Sequence, residues 1–407
     1  MLYAATTADT LRVLGGQLRY LREKGFDVTY VSSAGRIRNE VSPQHLISLC
    51  QGVKTIEVPM AREIAPLGDL LSLWRLWRII RALSPTITNV GTPKAGLVGG
   101  FAAWLNRVPC RFYTLHGLRF ETTSGLRRRL LVFAESLACH FAHRVICVSA
   151  SVREKAIASG LANRERTVVF ASGSCDGVDA SRFAPTPEMI ERGTVLRSQL
   201  DIPSQAPVIG FLGRLTRDKG IPELVEAFLQ LKGPFPDLRL LLLGRFEDED
   251  PLPPETRKCL ETHPDVVFPG LVEDTPPYYA LMDVLALPSH REGFPTVVLE
   301  AQAAGKPVVA ARSTGCVDSI VDGETGLLFP VGDVAALTDA LARVLADKAL
   351  AGKMGRAGRE RTNYKFRQQP IREALRSEFL GVLQARNLHV WKRPRVEAAD
   401  WEAKYSE

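Results

Sequence analysis

The 407-residue sequence lacks cysteines in any arrangement typical of a metal site or a disulfide framework. Its seven cysteines are odd in number and widely scattered, and none belongs to a Cys-x-x-Cys pair or a Cys/His cluster. Most of them lie in apolar runs, as buried thiols do. We therefore expect a protein of a reducing compartment that contains no structural zinc.

Long apolar runs are also missing. No stretch of 18 apolar residues occurs, and the N-terminus lacks the positive region and the apolar core of a signal peptide. With 45% hydrophobic and 24% charged residues, the composition is that of a globular protein and excludes disordered and fibrous classes. The sequence predicts a cytoplasmic protein that does not span a membrane and leaves peripheral attachment to a membrane open.

Lysine is scarce for a basic protein, because 39 of the 52 basic side chains are arginine. The net charge of +7 is unevenly distributed. Residues 1–187 contain 24 basic and 13 acidic side chains, a net charge of +11, whereas residues 188–407 have a net charge of −4. Guanidinium groups bind phosphates in a bidentate way, so an acidic partner is expected. Nucleic acid, an anionic membrane and a phosphorylated substrate all fit this composition.

Short apolar runs alternate with amphipathic helical patterns through most of the chain. Strand-like runs such as 111–115 and helix-like stretches such as 10–24 predict βαβ units with a parallel sheet. A turn-rich stretch over 172–192, with Pro185 and Pro187, reads as a linker, after which the alternation restarts. The predicted fold is α/β, with two Rossmann-like doubly wound domains over 1–185 and 190–366 that face each other across a cleft. A helix over 367–385, expected to pack back on the first domain, and a charged tail over 386–407 follow.

The run PSHREGFPTVVLE, residues 288–300, places Glu292 and Glu300 on either side of a Gly-Phe-Pro turn. Two glutamates eight residues apart are expected by chance in a chain of this composition, so their spacing alone is not informative. The turn between them, however, joins an apolar strand to a helical pattern. Both carboxylates can then face one ligand at a helix N-terminus, where free N–H groups favour phosphate. This arrangement suits a nucleotide sugar. The alternative is a helix-capping Glu292 and a solvated Glu300.

A second run, GRLTRDKG, places Arg214 and Lys219 at the carboxyl end of a predicted strand. Two cations at this position can stabilise a departing diphosphate without a metal ion. The run is not a Walker loop, because GxxxxGK[ST] is absent. The alternative is a surface loop with two exposed bases.

Together these motifs resemble glycosyltransferase family 4, the retaining enzymes with the GT-B fold. The matches EGFPTVVLE, GRLTRDKG, AGKPVVA and DGETGLLFPVGD belong to a resemblance that extends to about residue 385. Further matches indicate the subgroup that builds bacterial capsule, O-antigen and exopolysaccharide on a lipid carrier. They are GGQLRYLREKGFDVTYVSS, GTPKAGLVG, TLHGLRFET and AHRVICVSASVRE.

The resemblance implies a role for each matching residue. Arg214 and Lys219 would hold the donor diphosphate, Glu292 would bind the transferred sugar, and Glu300 would bind the nucleotide ribose. His116 matches the first-domain histidine that faces the sugar, although a single histidine is more often structural. The family lets backbone N–H groups meet sugar and phosphate in the turn that contains Gly293, Phe294, Pro295 and Thr296.

One feature departs from the family pattern. Many members carry Gly-Gly directly after the first strand, near the donor phosphate, whereas Gly15 and Gly16 lie later, inside a predicted helix. Glycine inside a helix costs about 1 kcal/mol relative to alanine. We therefore expect a ligand or a partner chain to approach closely there, and donor binding by these glycines is the prediction.

The resemblance also implies a mechanism and partners. The departing diphosphate would take the acceptor proton during front-side attack, and no metal or other cofactor is expected because no DxD-like motif lies in a suitable loop. The acidic run 248–250 reads as a surface turn. The expected partners are a nucleotide-sugar donor, with UDP favoured, and a polyprenyl-diphosphate-linked saccharide acceptor. Nucleic acid is not expected. The alternatives are another GT-B enzyme, such as a nucleotide-sugar epimerase or a relative of sucrose or trehalose synthase, and a catalytically silent partner subunit.

The predicted helix over 70–83 places Arg75, Arg78 and Arg81 beside Trp74 and Trp77. Interfacial helices show this pattern, and basic residues gain free energy near anionic lipid. The alternative is an ordinary sheet-covering helix with an arginine edge. With the family resemblance, the pattern predicts peripheral docking on the inner leaflet of the cytoplasmic membrane. Lys94 and the arginine triplet 127–129 add charge to the same half of the chain.

Overall fold

The computed structural model describes residues 1–33, 52–61, 65–248 and 250–388. Within these residues the chain forms two parallel β-sheets. The strands of the first sheet are β1 (Leu2–Thr7), β2 (Thr29–Ser33), β3 (Lys54–Glu57), β4 (Ile87–Gly91), β5 (Cys110–Leu115), β6 (Arg144–Cys147) and β7 (Thr167–Val168). Those of the second are β8 (Val208–Leu215), β9 (Arg239–Phe246), β10 (Val266–Gly270), β11 (Val284–Leu287), β12 (Val308–Ala311) and β13 (Leu327–Phe329).

Helices connect these strands. In the first part of the chain they are α1 (Leu11–Glu23), α2 (Pro66–Leu83), α3 (Pro93–Leu105), α4 (Gly125–Phe141) and α5 (Ala150–Ala158). The following ones are α6 (Pro187–Gln199), α7 (Ile221–Leu231), α8 (Pro254–Thr262), α9 (Pro276–Leu281), α10 (Thr296–Ala303), α11 (Cys316–Ser319), α12 (Val334–Ala346), α13 (Lys348–Lys365) and α14 (Gln368–Ala385). Short 3-10 helices are formed by Ala8–Thr10, Arg119–Thr122 and Ala180–Phe183.

The predicted α/β class with two doubly wound sheets is confirmed. The strand order is β3-β2-β1-β4-β5-β6-β7 in one sheet and β10-β9-β8-β11-β12-β13 in the other, with parallel pairings throughout the described residues. The adjacent residues Phe112 and Tyr113 of β5 are both buried but belong to different apolar clusters, so helices cover both faces of the first sheet. The order reverses between β1 and β4 and between β8 and β11. Ligands bind at the carboxyl ends of strands at such switch points.

The predicted linker over 172–192 is too long at its C-terminal end, because α6 begins at Pro187. The Thr186 hydroxyl caps this helix by accepting a hydrogen bond from the Met189 N–H at 3.2 Å. Proline is favoured at the first helical position, since the N–H that it lacks would have no intrahelical partner there. Pro187 therefore starts a helix and does not extend the linker.

The last described helix, α14, returns to the first sheet. The Phe379 ring lies 4.7 Å from the ring of Phe112 on β5 and 6.5 Å from that of Phe26, measured between centroids. Arg372 donates two hydrogen bonds, of 2.8 and 2.6 Å, to the carboxylate of Asp176 in the segment that leaves the first sheet. This contact joins the segment in which the chain leaves the first domain to the helix with which it returns. The predicted tail over 386–407 lies outside the described residues from position 389 onward.

Candidate active site

Two loops at the carboxyl edge of the second sheet meet in an ion pair. Lys219 lies between β8 and α7, and Glu292 lies between β11 and α10. Because β8 and β11 are neighbours in the sheet, their following loops lie side by side. Lys219 Nζ is 2.6 Å from Glu292 Oε1, and the side chains are only 16% and 13% exposed. A cation and a carboxylate are thus held together at the edge where a ligand is expected.

Asp218 organises the charges around this pair. Its carboxylate accepts hydrogen bonds from the Thr216 hydroxyl and from Arg291 Nη2, both at 2.6 Å, and Arg214 Nη2 lies 3.9 Å away. Burial acts to raise the pKa of Asp218, but Arg291, the Thr216 hydrogen bond, Arg214 and Lys219 together lower it below its ordinary value. Asp218 therefore stays ionised beside Arg214. Asp218 and Arg291 were not predicted from the sequence, where their only signal is their position inside the two motifs.

Glu300 lies in a different environment from Glu292. It occupies the second turn of α10, and its Oε2 accepts a 2.6 Å hydrogen bond from the hydroxyl of the fully buried Tyr279 on α9. Burial raises the pKa of Glu300 to about 7, against the lowering effects of the Tyr279 hydrogen bond and of Arg182. The two carboxylates therefore have different partners. Glu292 pairs with the charged side chain of Lys219, whereas Glu300 accepts a hydrogen bond from the neutral hydroxyl of Tyr279.

The turn before α10 is anchored by packing. Phe294 is buried, and its ring centroid lies 5.3 Å from that of Phe366. The helix begins at Thr296 after Pro295, so the first N–H groups of α10 lie at the carboxyl edge of the sheet. Gly293 permits a close approach between the domains, because a Cβ there would lie 1.8 Å from the carbonyl oxygen of His116.

His116 follows β5, and its carbonyl oxygen lies against this turn, whereas its ring Nε2 lies beside Gly91 at the end of β4, 2.8 Å from the position that a Cβ there would take. Its Nε2 is shielded from solvent and has no hydrogen-bond partner, while its Nδ1 lies 3.5 Å from Cys175 Sγ. Burial lowers the pKa of His116 to about 4. The imidazole is therefore neutral near pH 7, and Nε2 is a polar atom that can still bond to a ligand.

Several hydrogen bonds among the described residues join the rims of the cleft beside these groups, and three of them lie in or next to the loops around Glu292. They connect Arg291 Nε with the Thr122 hydroxyl (3.0 Å), the Thr314 hydroxyl with Glu121 Oε1 (2.7 Å), and the Gly315 N–H with the Ser151 hydroxyl (2.8 Å). Arg291 and Thr314 belong to the loops around Glu292, whose N–H donates to the Thr314 carbonyl at 3.1 Å. The loop that carries Glu292 is thereby connected to the first domain.

Gly15 and Gly16 lie inside α1, as expected, and the close approach at Gly16 comes from another part of the chain. A Cβ at Gly16 would lie 2.3 Å from Arg372 Nη2 and 3.2 Å from Asp176 Oδ2. The contact between α1 and α14 therefore accounts for this glycine. The structure does not place Gly16 against the Lys219–Glu292 pair, and donor binding by the two glycines stays a prediction.

Comparison with known proteins identifies the family. The Glycosyl transferase 4-like domain model matches residues 11–173, and the Glycosyl transferases group 1 model matches residues 194–361. The capsular polysaccharide biosynthesis glycosyltransferase CapM of Staphylococcus aureus is 34% identical over 381 residues, which is 93% of this chain and 96% of that protein. This chain belongs to the family 4 glycosyltransferases. The resemblance to the subgroup of capsule and other polysaccharide enzymes is confirmed as well.

Two further matches extend the comparison of this family 4 glycosyltransferase. The UDP-Gal:alpha-D-GlcNAc-diphosphoundecaprenol alpha-1,3-galactosyltransferase of Escherichia coli is 28% identical, over 74% of this chain and 77% of that protein. Anabaena Alr3699/HepE, solved in complex with UDP-glucose, superimposes with a TM-score of 0.77 at 22% identity, over 93% of this chain and 99% of that one. The second match shows the shared GT-B fold. No helix among the described residues is long and apolar enough to cross a bilayer.

Proposed function

We propose that this glycosyltransferase moves a sugar from a UDP-sugar to a polyprenyl-diphosphate-linked saccharide, with retention of configuration, during bacterial surface polysaccharide synthesis. The observation that carries the proposal is the Lys219–Glu292 ion pair at the switch point of the second sheet, opposite His116. The E. coli relative named above, whose name contains a diphosphoundecaprenol acceptor, supports the choice of acceptor class. The UDP-glucose complex of HepE supports the choice of donor.

The donor would lie across the start of α10. Lys219 and Arg214 would bind the diphosphate, Glu292 would accept hydrogen bonds from hydroxyl groups of the transferred sugar, and Glu300 would accept them from the ribose. The first N–H groups of α10 add a partial positive charge for the phosphates. His116 Nε2 would bond to the sugar from the first domain.

In the proposed reaction the bond between the sugar C1 and the diphosphate oxygen breaks as the acceptor hydroxyl attacks C1 from the same face. The hydroxyl proton passes to the departing diphosphate, whose growing negative charge is stabilised by Lys219 and Arg214. The ion pair holds the Lys219 side chain in place before the donor arrives, which lowers the cost of reorganisation. No metal ion is required in this scheme.

We also include peripheral membrane attachment in the proposal. Helices α2 and α4 flank α3 on one side of the first sheet, and both expose large apolar side chains. Trp74 is 49% exposed, with the Arg78 guanidinium 4.7 Å from its ring, whereas Trp77 packs partly buried against the core. Apolar and basic side chains on one surface favour an anionic bilayer. This apolar-basic face comprises Leu67, Leu70, Leu71 and Trp74 of α2 and Leu126, Arg127, Arg128, Arg129, Leu130 and Phe133 of α4.

A panel of UDP- and GDP-sugars, assayed with and without a polyprenyl-diphosphate-linked saccharide, tests the proposal. Transfer that depends on both donor and acceptor, with retained configuration in the product, is the expected result. Conversion of the donor without an acceptor would indicate the epimerase alternative. Absence of turnover with every donor, despite correct folding, would indicate the silent subunit.

A further inference from the structure

The hydroxyl of Tyr279 is the one polar side-chain atom of an otherwise apolar, completely buried side chain. It lies 2.6 Å from Glu300 Oε2 and 3.5 Å from the carbonyl oxygen of Val297, both on α10. A buried tyrosine hydroxyl requires a hydrogen-bond partner, and the shorter contact is to the carboxylate. Tyr279 and Glu300 are therefore a hydrogen-bonded donor and acceptor inside the second domain.

The position of this hydroxyl is fixed by packing. The Phe183 ring, in the 3-10 helix Ala180–Phe183, meets the Tyr279 ring edge to face at a centroid distance of 5.6 Å. Tyr279 lies on the short helix α9, which contacts both α6 and α10. Close packing around a fully buried ring restricts its rotamers, so the Tyr279 hydroxyl is held in place.

The Tyr279 hydroxyl also affects how Glu300 is charged. Burial raises the pKa of Glu300, while the Tyr279 hydrogen bond and the charge of Arg182 lower it, with the result that it titrates at about 7. Tyr279 on α9 and Arg182 in the 3-10 helix are the groups of the described structure that act on this carboxyl. Burial raises the pKa of Tyr279 well above 10, so the hydroxyl remains a donor at every pH of interest.

We propose that Tyr279 is a positioning residue for nucleotide binding, which fixes Glu300 Oε2 through its hydroxyl and leaves Oε1 to accept the hydroxyl groups of the ribose. This inference rests on the proposed role of Glu300. It explains why a largely buried carboxylate is kept in a binding site. The tyrosine makes the acceptor geometry rigid and favours the ionised form, which accepts hydrogen bonds with both oxygens.

Binding of UDP, and in parallel of GDP, to the full-length protein tests this inference by calorimetry between pH 5.5 and 8.5. Tyr279→Phe keeps the ring and removes the hydroxyl. We expect about tenfold weaker nucleotide binding at pH 7.5, a raised donor KM with little change in kcat, and a pH dependence displaced to higher pH. Tyr278→Phe, the neighbouring and partly buried tyrosine, is the matched control and should bind as the wild type does.

The outcomes separate this inference from the proposed function. Unchanged nucleotide affinity in Glu300→Ala would remove Glu300 from the donor site and overturn both. Weakened binding in Glu300→Ala with normal binding in Tyr279→Phe would overturn the positioning role alone. If Tyr279 acted only through packing, Tyr279→Phe would lower the melting temperature without displacing the pH profile, and it would weaken binding equally in the Glu300→Ala background. The proposal requires no additional loss in that background.

Discussion

Lys219 and Glu292 form an ion pair across 73 residues of sequence, with Nζ and Oε1 2.6 Å apart. The contact joins the loop after β8 to the loop after β11, and both loops follow strands at the switch point of the second sheet. Each partner holds the other in position for a ligand that carries both phosphate and hydroxyl groups. The two side chains of the proposed donor site are therefore in position before the donor binds.

Replacement of Lys219 by alanine is expected to lower kcat by about 100- to 1,000-fold, because one preorganised donor to the developing diphosphate charge is removed. Glu292→Ala should have a comparable effect through loss of sugar positioning. Steady-state kinetics with the preferred donor measures both effects. Lys232→Ala is the matched control, since Lys232 forms a similarly buried ion pair with Asp265 at 2.7 Å elsewhere in the domain. Near-normal turnover in Lys219→Ala would exclude the proposed role.

Activity is expected to persist after treatment with EDTA, because Arg214 and Lys219 supply the positive charge that a divalent ion would otherwise supply. The measurement is the initial rate of sugar transfer before and after chelation, with the chelator removed by gel filtration. Loss of activity that is restored by added magnesium or manganese would contradict the metal-independent scheme.

The buried His116 should make the protein less stable as the pH falls. Its pKa is about 4 in the folded state, below its ordinary value of 6.5, so between these values the unfolded state binds the proton more readily. The free energy of unfolding is therefore expected to decrease from pH 6.5 to pH 4 more steeply in the wild type than in His116→Asn. Urea unfolding at several pH values measures this difference. Parallel pH curves for the two proteins would show that His116 is not held neutral by burial.

The contact between Arg372 and Asp176 is expected to be important for stability. Arg372→Met leaves the Asp176 carboxylate, whose side chain is 3% exposed, without its arginine and with only the longer 3.4 Å hydrogen bond from Gln368, at an expected cost of about 3–5 kcal/mol. Asp176→Asn combined with Arg372→Met should recover part of this loss. Arg164→Met, which breaks an exposed pair with Glu154, is the control and should cost less than about 1 kcal/mol. Denaturant unfolding measures the free energy of unfolding of all variants. An equal loss of stability in Arg372→Met and Arg164→Met would contradict the prediction.

Binding to vesicles with anionic lipid should depend on the apolar-basic face of α2 and α4. Changing Arg127, Arg128 and Arg129 to glutamine is expected to weaken binding by about 3 kcal/mol, at roughly 1 kcal/mol per charge. Phe133→Glu should weaken it further, whereas Leu229→Glu, at an exposed apolar position of the second domain, should not. Vesicle sedimentation at low and high salt measures the effect. Binding that is insensitive to salt and to all of these changes would exclude this face.

The sequence by itself determined the α/β class, the two doubly wound sheets and the loops that carry the candidate site. Period-2 and period-3.6 apolar patterns and turn residues are local signals, so they can be read without the fold. Their local nature also explains the omissions. The edge strand β3, Lys54–Glu57, has the sequence KTIE, in which Ile56 is the single apolar residue, so it carries no apolar pattern that would predict a strand. The start of α6 at Pro187 was not predicted, because the surrounding residues are turn formers that favour a linker.

Only the tertiary structure decided which side chains meet. Asp176 and Arg372 are 196 residues apart, Tyr279 and Glu300 are 21 apart, and Arg291 reaches Asp218 across 73. The sequence indicated that Gly16 would be closely approached, but the fold showed that the approaching group is an arginine of α14. Such pairs depend on strand order and on helices returning to distant sheets. Periodicity within one element does not contain this information, because hydrogen bonds and ion pairs form between elements that only folding brings together.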